Sequence, residues 1–546
     1  MPFLHAIARR LSLILPLVLG ALGDARAQLP PSPLPLSNTE DARTLPKGTV
    51  RLRALNAWTR FDAVFGGLGE STHVARPLGD AFSASALGAA QLPVLVPAQN
   101  AVRTLTGDAA LTLNVGRLVA SADSRIYTTP ITLEYGLTDR LTIGAMVPIV
   151  QTHSTVFVAL NPSGQASGNV GPNPALAPSN ATAQPANRAV YSALAQAFAD
   201  LNSALAECAS SPSSPICSRQ AEATAARDLA AAYRDAVRDL YGIDAQTGSP
   251  FVPRAELQGL IGQRLASLDA TFQSLLGRAY LNGAVPSGAN GFAALLQFQQ
   301  LATDPAGIAY DSLGSPDRIG VGDVELSAVY RLIDRFADTV QSGGLRVRAA
   351  IRGVLRLGTG QPTTGLVPFE VGTGSGQTSA DGAALVDLRF PGRVVLSLAG
   401  QYTAFFGSAV LPRALNSEFA LFPLDVPRAG QWRAGNTLQI DATPRILIAD
   451  YFTINGHYTM RRAAAGQFAS ANQTVAPLFA ASTEQRAGVG FAYSTLARYA
   501  RGRSRVPLEL FFSHLETVTA RGGLTPKYTR EQVELRIYYR LRRGTR

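Results

Sequence analysis

The sequence predicts an all-β, transmembrane, antiparallel up-and-down barrel of about 12 strands, in a range of roughly 10 to 14, with an α-helical insertion in an extracellular loop. Three observations predict it: apolar and polar residues alternate along many segments, short and long connections alternate between these segments, and one tract has helical spacing. Charged residues make up only 16% of the chain, which has 50 Gly and 34 Pro. This composition is typical of many short elements joined by turns.

The N-terminus has the pattern of an export signal. Arg9 and Arg10 precede an apolar run from Leu11 to Leu22, and Ala25-Arg26-Ala27 is a small-x-small cleavage pattern. The run is too short to cross a bilayer as a helix, and no later segment is long and apolar enough. An exported chain without a spanning helix can still cross a membrane with strands, so we expect the bacterial outer membrane.

Alternation over about ten residues is the main evidence for membrane-crossing strands. From Leu345 to Leu357 the odd positions are apolar or Gly, whereas Arg346, Arg348, Arg352 and Arg356 occupy even positions. The predicted strands are 49–60, 126–136, 141–150, 322–333, 345–358, 383–390, 393–406, 436–449, 452–462, 484–497, 505–518 and 530–541. Ala109 to Val119 remains a candidate for another strand.

Connection lengths set the expected orientation and the domain division. Turns such as 136–140 and 391–392 are short, whereas 61–125 and 151–321 are long, and short turns of outer-membrane barrels face the periplasm. The expected division is 1–27 signal peptide, 28–48 periplasmic lead-in, 49–150 first barrel strands with a long loop, 151–321 helical surface-loop insertion and 322–546 remaining barrel strands.

The insertion contains two cysteines and apolar stripes of helical spacing. One stripe is formed by Val190, Leu194, Phe198, Leu201 and Leu205. Cys208 follows the first predicted helix and Cys217 precedes the second, so a disulfide would join an antiparallel helical hairpin. Two free thiols are the alternative.

Charged residues on the polar faces of the strands are the candidate functional residues. If the apolar faces contact lipid, the lumen-lining candidates are Arg346, Arg348, Arg352, Arg356, Glu325, Asp441, Arg536 and Arg540. One interpretation is a water-filled path with a cationic excess that favours anions. The alternative is an Arg–carboxylate network that holds a narrow barrel shut.

Other chemistries have little support in the sequence. Neither His73, His153, His457 nor His514 has metal-ligand spacing to another His or Cys, and we expect no catalytic residue, metal or cofactor. The arginines are scattered, so nucleic-acid binding is not expected despite a net charge of +11. Gly372-Thr373-Gly374-Ser375-Gly376 lacks the Lys of a phosphate loop and is interpreted as a flexible surface loop.

One hairpin carries a family resemblance. The segment from Ile131 to Gly144, with Tyr135-Gly136-Leu137-Thr138-Asp139-Arg140-Leu141 at its turn, resembles hairpins of uncharacterised outer-membrane β-barrel proteins of Gram-negative bacteria, including the MetA-pathway phenol-degradation type. The resemblance implies a barrel involved in the passage of small, often hydrophobic, compounds. It assigns no functional residue.

The leading hypothesis is therefore a porin-like passive channel or uptake protein for small molecules, embedded in outer-membrane lipid, in which the insertion gates or selects. A second hypothesis is a sealed barrel that anchors the insertion for adhesion or surface display. A third is an outer-membrane hydrolase that uses His457 and Ser513 on the polar faces of their strands. The sequence identifies neither the solute nor the oligomeric state.

Overall fold

The structure of the chain is a computed structural model that describes most of the sequence. It covers residues 41–65, 74–177, 182–244, 246–303, 311–336, 344–363, 366–407, 409–411, 430–470, 473–475, 481–522 and 525–540. The expected signal peptide, 1–27, and residues 28–40 of the expected lead-in lie outside the described residues.

Twelve antiparallel strands form a closed barrel. They are β1 (Thr49–Phe65), β2 (Leu118–Gly136), β3 (Leu141–Leu160), β4 (Val324–Asp334), β5 (Arg346–Leu357), β6 (Ser379–Arg389), β7 (Val394–Phe405), β8 (Thr437–Ala449), β9 (Phe452–Ala463), β10 (Ser482–Ser494), β11 (Leu508–Arg521) and β12 (Thr525–Arg540). Each strand pairs with its neighbours in sequence, and β1 pairs with β12 from Thr49↔Arg540 to Phe65↔Thr525. The predicted fold class and strand count are confirmed.

The alternation along the strands separates an apolar outer surface from a polar interior. Leu326 and Ile351 are 46% and 48% exposed on the outside, whereas Arg356 and Glu534 are 6% and 3% exposed within the barrel. Trp58 and Tyr127, cross-strand neighbours on the outer face, are each 40% exposed. Aromatic residues at this position are typical of the girdle at a membrane interface. A closed barrel leaves no strand edge without hydrogen bonds, so this chain is a transmembrane barrel of the outer-membrane type.

Connection lengths distinguish the two ends of the barrel, with one exception: the connection from β11 to β12 has only three residues but lies at the end with the long loops. At one end, short connections join β2 to β3, β4 to β5, β6 to β7, β8 to β9 and β10 to β11. The N-terminus of β1 and the C-terminus of β12 lie at that same end. By the rule for outer-membrane barrels this is the periplasmic end. The connection between β10 and β11 carries a short helix, Leu496–Ala500.

A helical cap covers the extracellular end. It comprises α1 (Leu95–Thr106), α2 (Ala183–Glu207), α3 (Gln220–Tyr241), α4 (Ala255–Leu276) and α5 (Leu295–Thr303). Buried residues of α1 to α5 belong to one apolar core with Phe61 of β1, Leu118 of β2 and Tyr528 of β12. The cap therefore packs directly on the barrel strands. In the described part of the chain, no helix is both long and apolar enough to cross a membrane.

The cysteines form the disulfide that the sequence favoured. Cys208 follows α2 and is bonded to Cys217, which lies just before α3. The alternative of two free thiols is wrong. Because α2 and α3 pack against each other, the disulfide joins the ends of two neighbouring helices.

Several short strands extend these elements. Asp317–Val321 pairs with the extracellular half of β3, and Val170–Pro172 pairs with Phe251–Pro253 inside the cap. The remaining short strands are Ala75–Pro77, Ala409–Leu411, Gly430–Arg433, Gln467–Ser470 and Gln473–Val475. The further strand offered from Ala109 to Val119 does not form as a separate element: Asn114 makes an isolated bridge to Gly88, and Leu118 and Val119 are the first residues of β2.

Candidate functional site in the barrel lumen

The lumen contains a cavity of about 110 Å³ with charged walls. Arginine and carboxylate side chains are equally numerous among its lining residues. The arginines are Arg43, Arg51, Arg53, Arg352, Arg356 and Arg536, and the carboxylates are Asp41, Glu134, Glu325, Asp381, Asp441 and Glu534. The lining of this cavity therefore lacks the cationic excess that the sequence suggested.

Ion pairs within strands and between neighbouring strands line the cavity. Glu534 accepts from Arg53 Nε at 2.7 Å and from Arg536 Nε at 2.8 Å. On the opposite wall, Arg356 donates to Glu325 at 2.8 Å and to Asp381 at 3.2 Å. Buried charges that are paired in this way avoid most of the cost of leaving water.

A second charged layer extends from Arg51, whose Nη2 donates to Glu134 Oε1 at 3.0 Å. Tyr538 donates from its hydroxyl to Glu509 at 2.5 Å, and the Arg51 guanidinium lies 5.9 Å from the Tyr538 ring centroid. These contacts connect β1, β2, β11 and β12. The two ends of the barrel sequence are thus joined inside the lumen as well as through their backbones.

Residues 41–48, here called the strap, cross the periplasmic mouth of the barrel. At one side, Leu45 N donates to Thr142 Oγ1 at 2.8 Å and Lys47 N donates to Asp139 Oδ1 at 2.9 Å. At the other side, Ala42 N donates to Asp387 Oδ2 at 3.1 Å. Ala42 is fully buried against Ala350, Ala383 and Leu385.

The strap also carries charges into the lumen. Arg43 Nη1 lies 3.2 Å from Glu509 Oε1, and Arg445 Nη1 lies 3.6 Å from Asp41 Oδ2. Residues 41–48, the described part of the expected periplasmic lead-in, thus lie in the periplasmic mouth of the barrel. Two of their three charged side chains, those of Asp41 and Arg43, have partners on the inner wall.

Residues 366–378, here called the inward segment, fold into the extracellular half of the lumen. Ser154 Oγ donates to Phe369 O at 2.6 Å, and Thr152 Oγ1 donates to Val371 O at 2.8 Å. Glu370 of the segment forms an ion pair with Arg318. These contacts hold the inward segment against β3 and against the short strand Asp317–Val321, which pairs with β3.

Asp323 fixes the glycine-rich part of the inward segment. Its carboxylate accepts from Ser375 N and Ser375 Oγ, both at 2.7 Å, and from Gly376 N at 3.3 Å. A Cβ on Gly374 would lie 2.8 Å from Asp323 Oδ1, so glycine permits this close approach. The interpretation of 372–376 as a flexible surface loop is wrong, because Ser375 is only 2% exposed.

Five of the lumen-lining candidates surround the cavity: Glu325, Arg352, Arg356, Asp441 and Arg536. Arg348 does not line the cavity. Its Nε lies 3.2 Å from Asp334 Oδ1 and its Nη1 lies 3.6 Å from Asp387 Oδ2. Arg346 is half-buried at the periplasmic start of β5, and Arg540 is exposed at the periplasmic end of β12.

Sequence reasoning missed Asp41, Arg43 and Asp381 among the cavity residues. Asp381 precedes the predicted strand 383–390, but the alternation that places Asp387 inside extends back to it. No comparable signal exists for Asp41 and Arg43, because the strap has no regular secondary structure.

The two residues of the hydrolase hypothesis both face the interior but do not form a nucleophile–base pair. His457 Nδ1 lies 3.5 Å from Thr443 Oγ1, and Ser513 Oγ has no hydrogen-bond partner among the described residues. Activation of a serine needs a hydrogen bond to its base. Within the described residues no group of His, Cys, Asp or Glu side chains could hold a metal ion.

Comparisons with known proteins give only distant likenesses. No protein-family model matches the chain, and no curated protein matches it. An outer membrane channel from Pseudomonas putida F1 is 9% identical with a TM-score of 0.39, over 91% of this chain and 98% of that one. The transport unit of the Escherichia coli autotransporter AIDA-I is 5% identical with a TM-score of 0.30, over 90% of each chain.

The Ralstonia pickettii toluene transporter TbuX is 9% identical with a TM-score of 0.26, over 95% of this chain and 96% of that one. Likenesses of this size carry no functional argument. The assignment of the fold therefore rests on the strand pairing and on the apolar outer surface of the barrel itself.

Proposed function

We propose that the protein is a passive outer-membrane channel for small molecules, closed in this structure by the strap and the inward segment. The observation that carries the proposal is the kind of closure. Both segments are held mainly by hydrogen bonds and ion pairs to the inner wall, and a cavity lies between charged side chains. Polar contacts of this kind exchange readily with water once a segment moves.

The charges around the cavity favour polar solutes. Six guanidiniums and six carboxylates carry positive and negative charges in equal number, so the lining as a whole selects neither cations nor anions. A barrel of about twelve strands admits only small solutes when its wall carries long side chains. We therefore propose small hydrophilic molecules as the permeating class.

A second function, a sealed barrel that anchors the cap for adhesion or surface display, also has an observation in its favour. The apolar core of the cap continues into the extracellular ends of the barrel strands. A rigid attachment of this kind is what a displayed domain needs. On this hypothesis the ion pairs of the lumen serve only the stability of the barrel.

Single-channel recordings in planar bilayers separate the two functions. We expect the full-length protein to conduct rarely, and the double variant Asp41→Ala/Arg43→Ala to conduct several-fold more often, since the strap then loses its charged partners. Arg60→Ala is the matched control. Arg60 pairs with Asp123 on the outer surface and should leave conductance unchanged.

A folded strap variant that never conducts would contradict the channel. Folding is checked by heat-modifiable gel migration, because a closed barrel migrates differently before and after boiling. The display function would instead be favoured if deletion of the cap abolished binding to a partner but left solute uptake normal.

A further inference from the structure

From Tyr528 to Tyr538, strand β12 has a polar residue at each of six inward positions, but within the described residues only the periplasmic three have side-chain hydrogen bonds or ion pairs. These three are Glu534, Arg536 and Tyr538, which form the ion pairs and hydrogen bonds described above. The extracellular three are Tyr528, Arg530 and Gln532, which are 5%, 3% and 4% exposed. The inner face of β12 therefore changes character halfway along the strand.

Arg530 is a buried cation that no carboxylate neutralises. Among the described residues its guanidinium takes part in no ion pair within 4.0 Å and in no hydrogen bond, and its Nε is enclosed without a partner. Its cross-strand neighbours are Thr59 on β1 and Leu515 on β11, neither of which carries charge. A buried carboxylate on strand β10, Glu484, is already paired, since Arg486 donates to both of its oxygens, at 2.7 and 2.5 Å.

Other buried polar atoms that have no hydrogen-bond partner in the described part of the chain lie near this arginine on β11 and β12. Ser513 Oγ and Gln532 Oε1 belong to residues directly opposite each other on β11 and β12. The Tyr528 hydroxyl also lacks a hydrogen bond within the described ranges, although the Tyr528 ring centroid lies 4.8 Å from the Arg486 guanidinium carbon. Tyr528 is two positions from Arg530 on the same face. Partnerless buried polar groups are rare in folded proteins, so a cluster of them points to an occupant that is not part of the chain.

Charge and geometry define the chemistry of that occupant. A guanidinium stays protonated in proteins, so Arg530 cannot escape its burial by losing a proton. An uncompensated buried charge is strongly unfavourable, whereas a bound anion removes the penalty. Guanidinium N–H groups match the two oxygens of a carboxylate, and hydroxyl groups can donate to the same oxygens.

We propose that Arg530, with Ser513, Tyr528 and Gln532, forms a buried binding site for a small carboxylate anion. The site lies between the ion-paired layer of the lumen and the apolar core beneath the cap, which includes Tyr528. It does not depend on conduction, because a sealed barrel with this wall would bind the same anion.

The test is the thermal unfolding midpoint of the full-length, disulfide-intact protein in detergent. Sodium acetate is compared with sodium chloride and with neutral acetamide at matched ionic strength. We expect a saturable rise of the midpoint with acetate, a smaller one with chloride and none with acetamide, because a ligand that binds only the folded state stabilises it. Arg530→Met should abolish the acetate effect and raise the midpoint in acetate-free buffer.

Arg356→Met is the matched control, because Arg356 is equally buried but is paired with Glu325 and Asp381. It should lower the midpoint while retaining the acetate effect. If Arg530→Met fails to fold, Ser513→Ala serves instead and should weaken acetate binding several-fold. Equal shifts with chloride and acetate would overturn the carboxylate assignment. No anion effect, together with destabilisation by Arg530→Met as large as that by Arg356→Met, would overturn the site.

Discussion

Asp323 illustrates how one buried carboxylate can position a whole segment. Four hydrogen bonds converge on it, because Gly360 N also donates, at 2.9 Å. Its donors come from both ends of the connection between β5 and β6. The residue therefore holds the two ends together and keeps the inward segment in the lumen.

We predict that Asp323→Ala loses about 3 kcal/mol of stability, because several buried donors are left without an acceptor. Release of the inward segment should also raise conductance and make residues 366–378 accessible to protease. Asp323→Asn is the control and should lose less, since an amide oxygen can still accept. Equal conductance of Asp323→Ala and the unchanged protein would show that another contact holds the segment.

The residues found from the sequence and those missed differ in a simple physical way. Glu325 and Arg356 could be placed in the lumen because a strand of known phase carries them. Asp41 and Arg43 could not, since their position depends on partners more than 400 residues away, Arg445 and Glu509. Arg530 was the first residue of a predicted strand, so its inward position could be predicted. That no carboxylate of the described residues pairs with it depends on three-dimensional packing, which the sequence does not show.

At the scale of elements, the alternation of a strand determines which substitutions the membrane tolerates. Leu398 lies at the middle of β7 on the outer face and is 37% exposed. We predict that Leu398→Arg destabilises the barrel by about 2–4 kcal/mol, because the charge enters the apolar band near its midplane. The reversible unfolding midpoint in denaturant, measured in lipid vesicles, gives the difference.

Thr529→Arg is the matched control, because Thr529 is exposed near the extracellular end of β12. The expected loss there is about 0–1 kcal/mol. Equal losses at both positions would show that the outer band does not face hydrocarbon.

All twelve strands could be predicted from the sequence, but some of their ends could not. Strand β2 begins at Leu118 rather than near 126, because its extracellular half packs beneath the cap and faces apolar residues on the inside. Helix α1 was missed altogether. Leu95, Ala98, Val102 and Leu105 have helical spacing, but one short helix within a long connection gives a weak signal.

At the scale of the whole molecule, the strap closes the periplasmic mouth through contacts with the barrel strands, at the opposite end from the cap. The strap is anchored to β3, β6, β8 and β11, and the inward segment to β3 and to Asp323 just before β4. The inward segment also contacts the apolar core of the cap, which includes Phe369. The Phe369 ring centroid lies 5.4 Å from that of Phe82, in the connection between β1 and β2.

We therefore predict that replacing residues 162–312 by a short Gly/Ser linker leaves conductance as low as in the full-length protein. The truncated barrel should still be heat-modifiable, although Phe61 and Leu118 lose apolar neighbours and its midpoint falls. A several-fold rise in conductance on this deletion would show that the insertion gates the channel.

The pairing of β1 with β12 also imposes an order on assembly. These strands lie almost a full chain length apart in the sequence. Bringing them together costs loop-closure entropy, and the chain loses this entropy before the contact between the strands stabilises it. The strap immediately precedes β1, and its anchors are spread around the ring on β3, β6, β8 and β11. The strap can therefore bind all of its anchors only after the ring of strands has closed. In a barrel trapped before closure, the strap would be exposed to solvent, and its exposure would indicate unfinished folding.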